Sequence, residues 1–171
     1  MSVPQWLTAL GIPTACITRQ SSASERGRSF SIHCQKGDQV WRVQVDGCWL
    51  PGVGQKKADY LFWAESASGN RMVLVVELKG QNFAKALAQI ESTLQHLCKS
   101  GGKRGIHTGA HQDSPGHGPV AERGVRAYAV LSKGRGVPKR LRDRERLRQR
   151  YGVIVHSKSQ RLAVDGVDAL P

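Results

Sequence analysis

Apolar residues follow two spacings along this chain of 171 residues, and each spacing predicts a kind of element. Alternating or continuous apolar runs predict strands at residues 28–34, 39–45, 58–63, 72–79, 125–131, 152–155 and 161–164. Apolar residues three and four positions apart, from Phe83 to Leu97, predict an amphipathic helix over residues 82–99. A shorter helix is predicted over residues 4–10, because Gly11 and Pro13 follow it.

Turn residues between these runs predict how the strands are joined. Lys36-Gly37-Asp38 separates the first two strands, which predicts a hairpin. The polar stretch from Ser66 to Asn70 separates strands 58–63 and 72–79 and predicts a second antiparallel pair. These two strands are therefore expected to lie side by side.

Charged residues at the ends of this second pair are candidates for a chemical site. Side chains alternate along a strand, so Glu77 and Lys79 are expected on one face, next to Asp59 on the neighbouring strand. The four apolar residues 73–76 indicate a strand covered on both faces, where a Glu and a Lys are costly without a function. The alternative is that Glu77 and Lys79 lie on the open face of an edge strand.

Asp59 and Glu77-Leu78-Lys79 resemble the signature of the PD-(D/E)xK nuclease superfamily, although Ala58 stands where that family usually has Pro. The resemblance covers residues 29–131 and includes the order strand, strand, helix, strand. It implies an α/β fold (an α+β mixed sheet) with a restriction-endonuclease-like core, in which helices flank a central mixed β-sheet.

The resemblance also implies an Mg²⁺- or Mn²⁺-dependent endonuclease that hydrolyses phosphodiester bonds. In this interpretation Asp59 and Glu77 hold the metal, and the carbonyl of Leu78 is a further ligand. Carboxylate oxygens suit Mg²⁺, which takes one or two carboxylates together with waters and substrate phosphates. Lys79 would orient or help deprotonate the attacking water.

Two further residues are assigned by the same resemblance. Gln89 lies on the predicted helix that follows Lys79, where relatives place a catalytic Gln; the alternative is a surface polar residue. Glu25 matches the upstream acidic ligand of some relatives, such as the archaeal Holliday-junction resolvases, although it lies in a Ser-rich stretch without a clear element.

Strong positive charge indicates a polyanionic partner. The chain has 26 Lys and Arg against 13 Asp and Glu, a net charge of +13 and a pI near 10.2, which favours nucleic acid. Residues 133–150 hold nine basic and two acidic residues, and Pro138 favours a helix start there. Most of these arginines are expected to lack an acidic neighbour and to contact phosphate, and the contacts are assigned to Lys139, Arg140, Arg144 and Arg148. The alternative is a solvated helix with Arg–Glu pairs.

Residues 101–122 are rich in Gly and lack periodicity, which predicts a long loop. It contains His107, His111 and His117. A zinc site is one interpretation, but the spacings fit no short metal motif, and a loop that contacts DNA or covers the site is favoured.

Length and cysteine content complete the prediction. The chain is expected to form one domain over residues 1–171. Its cysteines form no C-x-x-C pair, so they are interpreted as reduced thiols of a cytoplasmic protein: Cys16, Cys34, Cys48 and Cys98. No signal peptide or membrane-spanning run is recognised.

DNA is favoured over RNA as the substrate, in repair, recombination, restriction or anti-phage defence, and a homodimer or a partner protein is compatible with the small size. Two alternatives stay open. One is a nucleic-acid-binding module that has the nuclease fold without catalysis. The other is a basic protein that binds RNA or a ribonucleoprotein, which the low aromatic content of 6% disfavours.

Overall fold

The computed structural model describes residues 3–52, 54–78, 82–100, 125–131 and 141–165. Within these ranges the strands are β1 (Ile17–Thr18), β2 (Ser22–Glu25), β3 (Arg28–His33), β4 (Gln39–Gln44), β5 (Tyr60–Glu65), β6 (Arg71–Glu77), β7 (Val125–Leu131), β8 (Val155–Ser159) and β9 (Arg161–Asp165). The α-helices are α1 (Gln5–Ala9), α2 (Phe83–Ser100) and α3 (Leu141–Tyr151). The fold is mixed α and β.

A six-stranded mixed sheet forms the centre, in the order β1-β4-β5-β6-β7-β8. Within this sheet β1, β4, β5 and β6 pair antiparallel with one another in that order, whereas β7 runs parallel to both β6 and β8. Helix α2 connects β6 to the region before β7, as parallel neighbours require a crossover. The predicted order strand, strand, helix, strand is confirmed for β5, β6, α2 and β7.

A second sheet of three strands has the order β2-β3-β9, with β3 antiparallel to β2 and parallel to β9. The predicted hairpin of residues 28–34 and 39–45 is therefore wrong. Strand β3 belongs to the small sheet, whereas β4 pairs with β1 and β5 in the large one. The alternation predicted both strands correctly, but a period of two determines the buried face and leaves the partner undetermined.

The large sheet separates two apolar cores. Val73 and Val75 of β6 pack with α2 on one face, and Leu74 and Val76 pack with Phe30 of the small sheet on the other. The apolar run of β6 is thus covered on both faces, as predicted. No helix in the described ranges is long and apolar enough to cross a membrane.

Element boundaries follow the predictions to different extents. Strand β7 has the predicted bounds, and α2 is displaced by one residue from the predicted 82–99. Strand β5 begins two residues after the predicted position 58, and β8 begins three residues after position 152. The predicted loop over residues 101–122 and the first part of the basic segment, residues 133–140, lie outside the described residues.

Cys16 and Cys48 form a disulfide, with their Cα atoms 5.6 Å apart. The prediction that all four cysteines are reduced thiols is therefore wrong for these two, while Cys34 and Cys98 are free. The bond joins the segment before β1 to the turn after β4. The two cysteines are 32 positions apart in the sequence. No local spacing could therefore predict the disulfide, because only the tertiary fold brings the two residues together.

Candidate functional site

Asp59 and Glu77 lie side by side where β5 begins and β6 ends. The register pairs Tyr60 with Val76, so the next positions along each strand face each other. The backbone N–H of Asp59 donates to Oε2 of Glu77 at 3.1 Å. In return the N–H of Leu78 donates to Oδ2 of Asp59 at 2.7 Å. Each carboxylate is thus held by the backbone of the other strand.

Both carboxylates are removed from solvent. Asp59 is 6% exposed and Glu77 is fully buried. Strand β6 lies between β5 and β7, so the alternative that Glu77 occupies the open face of an edge strand is wrong. Buried carboxylates require hydrogen-bond donors or a cation, and the two N–H groups supply part of that compensation.

A cleft of about 520 Å³ opens beside this pair. Three predicted site residues line it, Asp59, Leu78 and Glu25. Glu77 is not among the lining residues, is fully buried, and contacts the backbone N–H of Asp59. The cleft therefore brings together three predicted metal-site residues, from β2, β5 and the end of β6.

The β2–β3 turn forms one wall of the cleft. Arg26 and Gly27 have φ angles of 47° and 77°, the left-handed pair of a two-residue type I′ hairpin. Glu25 and Arg28 close the hairpin as directly paired residues, and Arg28 is only 8% exposed. The Ser-rich stretch that gave no clear prediction is thus a strand that carries Glu25 to the site.

Tyr60 lines the cleft next to Asp59. Burial raises the pKa of its phenol, Arg42 opposes the shift, and the carboxylates of Asp59 and Glu25 add to it. The Arg42 guanidinium lies over the ring, 5.3 Å from the centroid. Arg42 is itself fixed by a 2.9 Å hydrogen bond to the carbonyl of Ser22.

Helix α2 holds the segment that leads into Asp59. Gln89 is buried and donates from Nε2 to the carbonyl of Lys57 at 2.8 Å. One turn later, Thr93 accepts a 2.8 Å hydrogen bond from the N–H of Ala58 and donates to the carbonyl of Gln89. Gln89 is therefore no surface residue, and its observed contact positions the backbone beside Asp59.

Lys57 is a buried charged residue close to the site that the sequence did not predict. It is 6% exposed, and its ammonium donates to the carbonyls of Leu50 and Gly52 and lies 3.3 Å from Asp46. A lysine is rarely buried without such partners. The burial of Lys57 could not be predicted, because nothing in the sequence distinguishes it from its exposed neighbour Lys56.

The described part of the basic segment is more strongly paired than expected. Arg146 and Arg150 of α3 form ion pairs with Glu91 of α2 at 3.0 and 3.6 Å, and Arg148 lies 3.7 Å from Glu145. The expectation that most arginines lack an acidic neighbour is thus wrong for α3. The expectation counted acidic residues within the segment alone and did not include ion pairs between α3 and α2.

Arg144 differs from the other candidate phosphate contacts. Its guanidinium lies 5.0 Å from the centroid of the Phe83 ring and donates to the hydroxyl of Ser157. Arg148 is the exposed candidate, with 68% of its side chain accessible. Arg144 therefore contacts residues of α2 and β8, whereas Arg148 forms its ion pair with Glu145 of its own helix.

Several candidates lie outside the described residues: Lys79, Lys139, Arg140, His107, His111 and His117. Among the residues that the structure does describe, no three His, Cys, Asp or Glu side chains are grouped to hold a metal. Comparison of the chain with protein-family models, curated proteins and solved structures finds no match.

Proposed function

We propose that the protein is a divalent-metal-dependent nuclease of the PD-(D/E)xK type, with DNA favoured as substrate. The observation that carries the proposal is the reciprocal backbone contact between Asp59 and Glu77 beside the cleft. The order β5, β6, α2, β7 agrees with the restriction-endonuclease-like core that the proposal requires.

The donor set fits a hard cation. Asp59 and Glu77 supply two carboxylates, the number that Mg²⁺ commonly takes from a protein, and the carbonyl of Leu78 is a further oxygen. Glu25 lines the same cleft as Asp59, but among the described residues no third acid is grouped with a carboxylate pair closely enough to hold one ion. A bound Mg²⁺ or Mn²⁺ would supply charge neutralisation at the phosphate and a more acidic water.

The chain's own residues orient these groups. The Leu78 N–H fixes one oxygen of Asp59, and the Asp59 N–H fixes one oxygen of Glu77, which prepares the carboxylates before substrate binds. Gln89 and Thr93 hold the segment before Asp59 and act as positioning residues. Lys79, two residues after Glu77, is proposed to orient the attacking water.

Excess positive charge would bring the substrate to this site. The net charge of +13 attracts a phosphate backbone and accelerates encounter at low salt. Among the predicted phosphate contacts, Arg148 lies in the described residues with a largely exposed side chain, which favours a contact to the backbone. Lys139 and Arg140 remain predicted contacts.

The test is incubation with plasmid, single-stranded, branched and RNA substrates in Mg²⁺, Mn²⁺ or EDTA. We expect cleavage of DNA with either metal and none in EDTA. Glu77→Gln should lower the rate by about 100-fold or more, in the range of removing one preorganised catalytic group. Glu65→Gln is the matched control, since it removes the same charge at the opposite end of β5, where Glu65 pairs with Arg71.

The outcomes separate the proposal from the binding-module alternative. Binding of DNA without cleavage under every metal condition would favour the module. Equal cleavage by the parent protein and Glu77→Gln would exclude Glu77 from the chemistry and remove the basis of the nuclease assignment.

A further inference from the structure

The size of the cleft restricts what can enter it. Its volume of about 520 Å³ falls in the range of sites for single small ligands, about 300–1,000 Å³. Proteins that act on one nucleotide within such a pocket use single-stranded substrate or extrude the nucleotide from the duplex. The volume therefore suits one nucleotide unit better than an intact double helix.

The cleft has an aromatic ring on its wall, with an arginine over that ring. Tyr60 lines the cleft, and its ring is backed by Arg42, which the Ser22 carbonyl holds in place. Aromatic rings on a positively charged groove are platforms on which unpaired bases stack, with little preference for sequence. The Tyr60 ring has the aromatic part of this arrangement, with the Arg42 guanidinium over it and the arginines Arg26 and Arg28 in the same cleft.

The β2–β3 turn adds Arg26 and Arg28 to the same cleft. Arg28 is nearly buried, so its guanidinium is held in a restricted environment where a bidentate contact to phosphate is strong. Two of the three acids on the wall have basic neighbours: Glu25 lies 3.8 Å from Arg26, and Asp46 lies 3.3 Å from Lys57. This pairing reduces the repulsion that the wall would exert on a phosphate.

We propose that the cleft binds one unpaired nucleotide, with its base stacked on Tyr60 and its phosphate contacted by Arg28 and Arg26. The preferred substrate is then single-stranded or locally unpaired DNA. The preference for cleaving such DNA rests on the proposed nuclease function, whereas binding of the nucleotide does not.

The binding test uses a fluorescein-labelled single-stranded DNA and a blunt duplex of the same sequence, with Ca²⁺ in place of Mg²⁺. Anisotropy should show tighter binding of the single strand. Tyr60→Leu should weaken that binding by roughly 10- to 100-fold, as expected for one lost base stack, and Tyr60→Phe should restore it. Arg26→Gln should also weaken it, whereas Arg19→Gln, which changes an exposed arginine away from the cleft, should not.

Cleavage of the same two substrates in Mg²⁺ distinguishes the two proposals. Faster cleavage of the single strand, dependent on Tyr60, would support both. Tyr60-dependent binding without any cleavage would support the cleft assignment and contradict the nuclease. Cleavage that is equal for both substrates and unaffected by Tyr60→Leu would overturn the cleft assignment and leave the nuclease intact.

Discussion

The N–H of Leu78 donates a 2.7 Å hydrogen bond to Oδ2 of Asp59, nineteen residues earlier in the chain. The bond crosses from the end of β6 to the start of β5 and fixes the carboxylate next to Glu77. It depends on the antiparallel pairing of the two strands and on the segment before Asp59, which α2 holds.

Thr93 should stabilise this arrangement measurably. Thr93→Val keeps the shape of the side chain but leaves the N–H of Ala58 without its acceptor. A buried donor left in this way costs about 1–3 kcal/mol, so the free energy of unfolding in urea should fall by about that amount.

Thr93→Ser is the control, because it keeps the hydroxyl. We expect it to retain the hydrogen bond and to lose less stability than Thr93→Val. A Thr93→Val protein with the parental free energy of unfolding would contradict a stabilising hydrogen bond, because valine keeps the methyl group and lacks only the hydroxyl that accepts from Ala58.

The Cys16–Cys48 disulfide should be present in purified protein and should stabilise it. The sequence separation of 32 corresponds to about 4 kcal/mol in the chain-entropy description. Thiol labelling of unfolded, unreduced protein should therefore modify Cys34 and Cys98 alone.

Reduction should lower the free energy of unfolding, and Cys34→Ser should leave that difference unchanged. Labelling of all four cysteines without a reductant would contradict the disulfide.

His156 should make the protein less stable at acid pH. Burial, followed by the charges of Arg126 and Arg144, lowers the pKa of this imidazole below its ordinary value of 6.5. As the pH falls, the imidazole therefore takes up a proton in the unfolded state before it does so in the folded state. The stability that this group contributes is fully present above pH 6.5 and is lost as the pH falls to the lower pKa of the folded state.

Urea unfolding of parent protein and His156→Gln at pH 8 and pH 5.5 measures this effect. The parent should lose more stability between the two pH values than the variant does. An identical loss would assign the acid sensitivity to other groups.

Arg144 and Arg148 should behave differently although both belong to α3. Arg148→Gln should weaken DNA binding and reduce the slope of log affinity against log salt by roughly 0.9, the value for one phosphate contact on duplex DNA. Arg144→Gln should mainly lower stability, because it loses contacts to Phe83 and Ser157.

Binding isotherms at several salt concentrations, with unfolding curves for both variants, check this expectation. An unchanged salt slope for Arg148→Gln would remove that residue from the DNA interface. Unchanged stability of Arg144→Gln would show that its contacts contribute little.

The local spacing of apolar and turn residues was sufficient to predict part of the site. The turn between β5 and β6 is short, so strand register alone brings Asp59 beside Glu77. The bounds of β7 also follow from its apolar run. These features depend on residues close in sequence, where alternation and turn chemistry act directly.

Features that depend on distant partners were not predictable in the same way. Nothing local assigns β3 to the small sheet, pairs Cys16 with Cys48, or buries Lys57 against backbone carbonyls. The pairing of Glu91 with Arg146 likewise requires α2 and α3 to be adjacent. In each case the partner is determined by tertiary packing, and the local sequence does not distinguish it from other residues of the same type.

The most direct test of the central claim is the single-turnover rate of DNA cleavage as a function of Mg²⁺ concentration, for parent protein, Asp59→Asn and Glu65→Gln. Asp59→Asn keeps the shape of the side chain and removes the charge that would hold the metal. We expect a saturable Mg²⁺ dependence in the parent and in Glu65→Gln. The rate of Asp59→Asn should be at least about 100-fold lower, with an unfolding curve that shows it is folded. An Asp59→Asn protein that cleaves at the parental rate, with the same Mg²⁺ dependence, would contradict the assignment of the Asp59–Glu77 pair as the metal site of a nuclease.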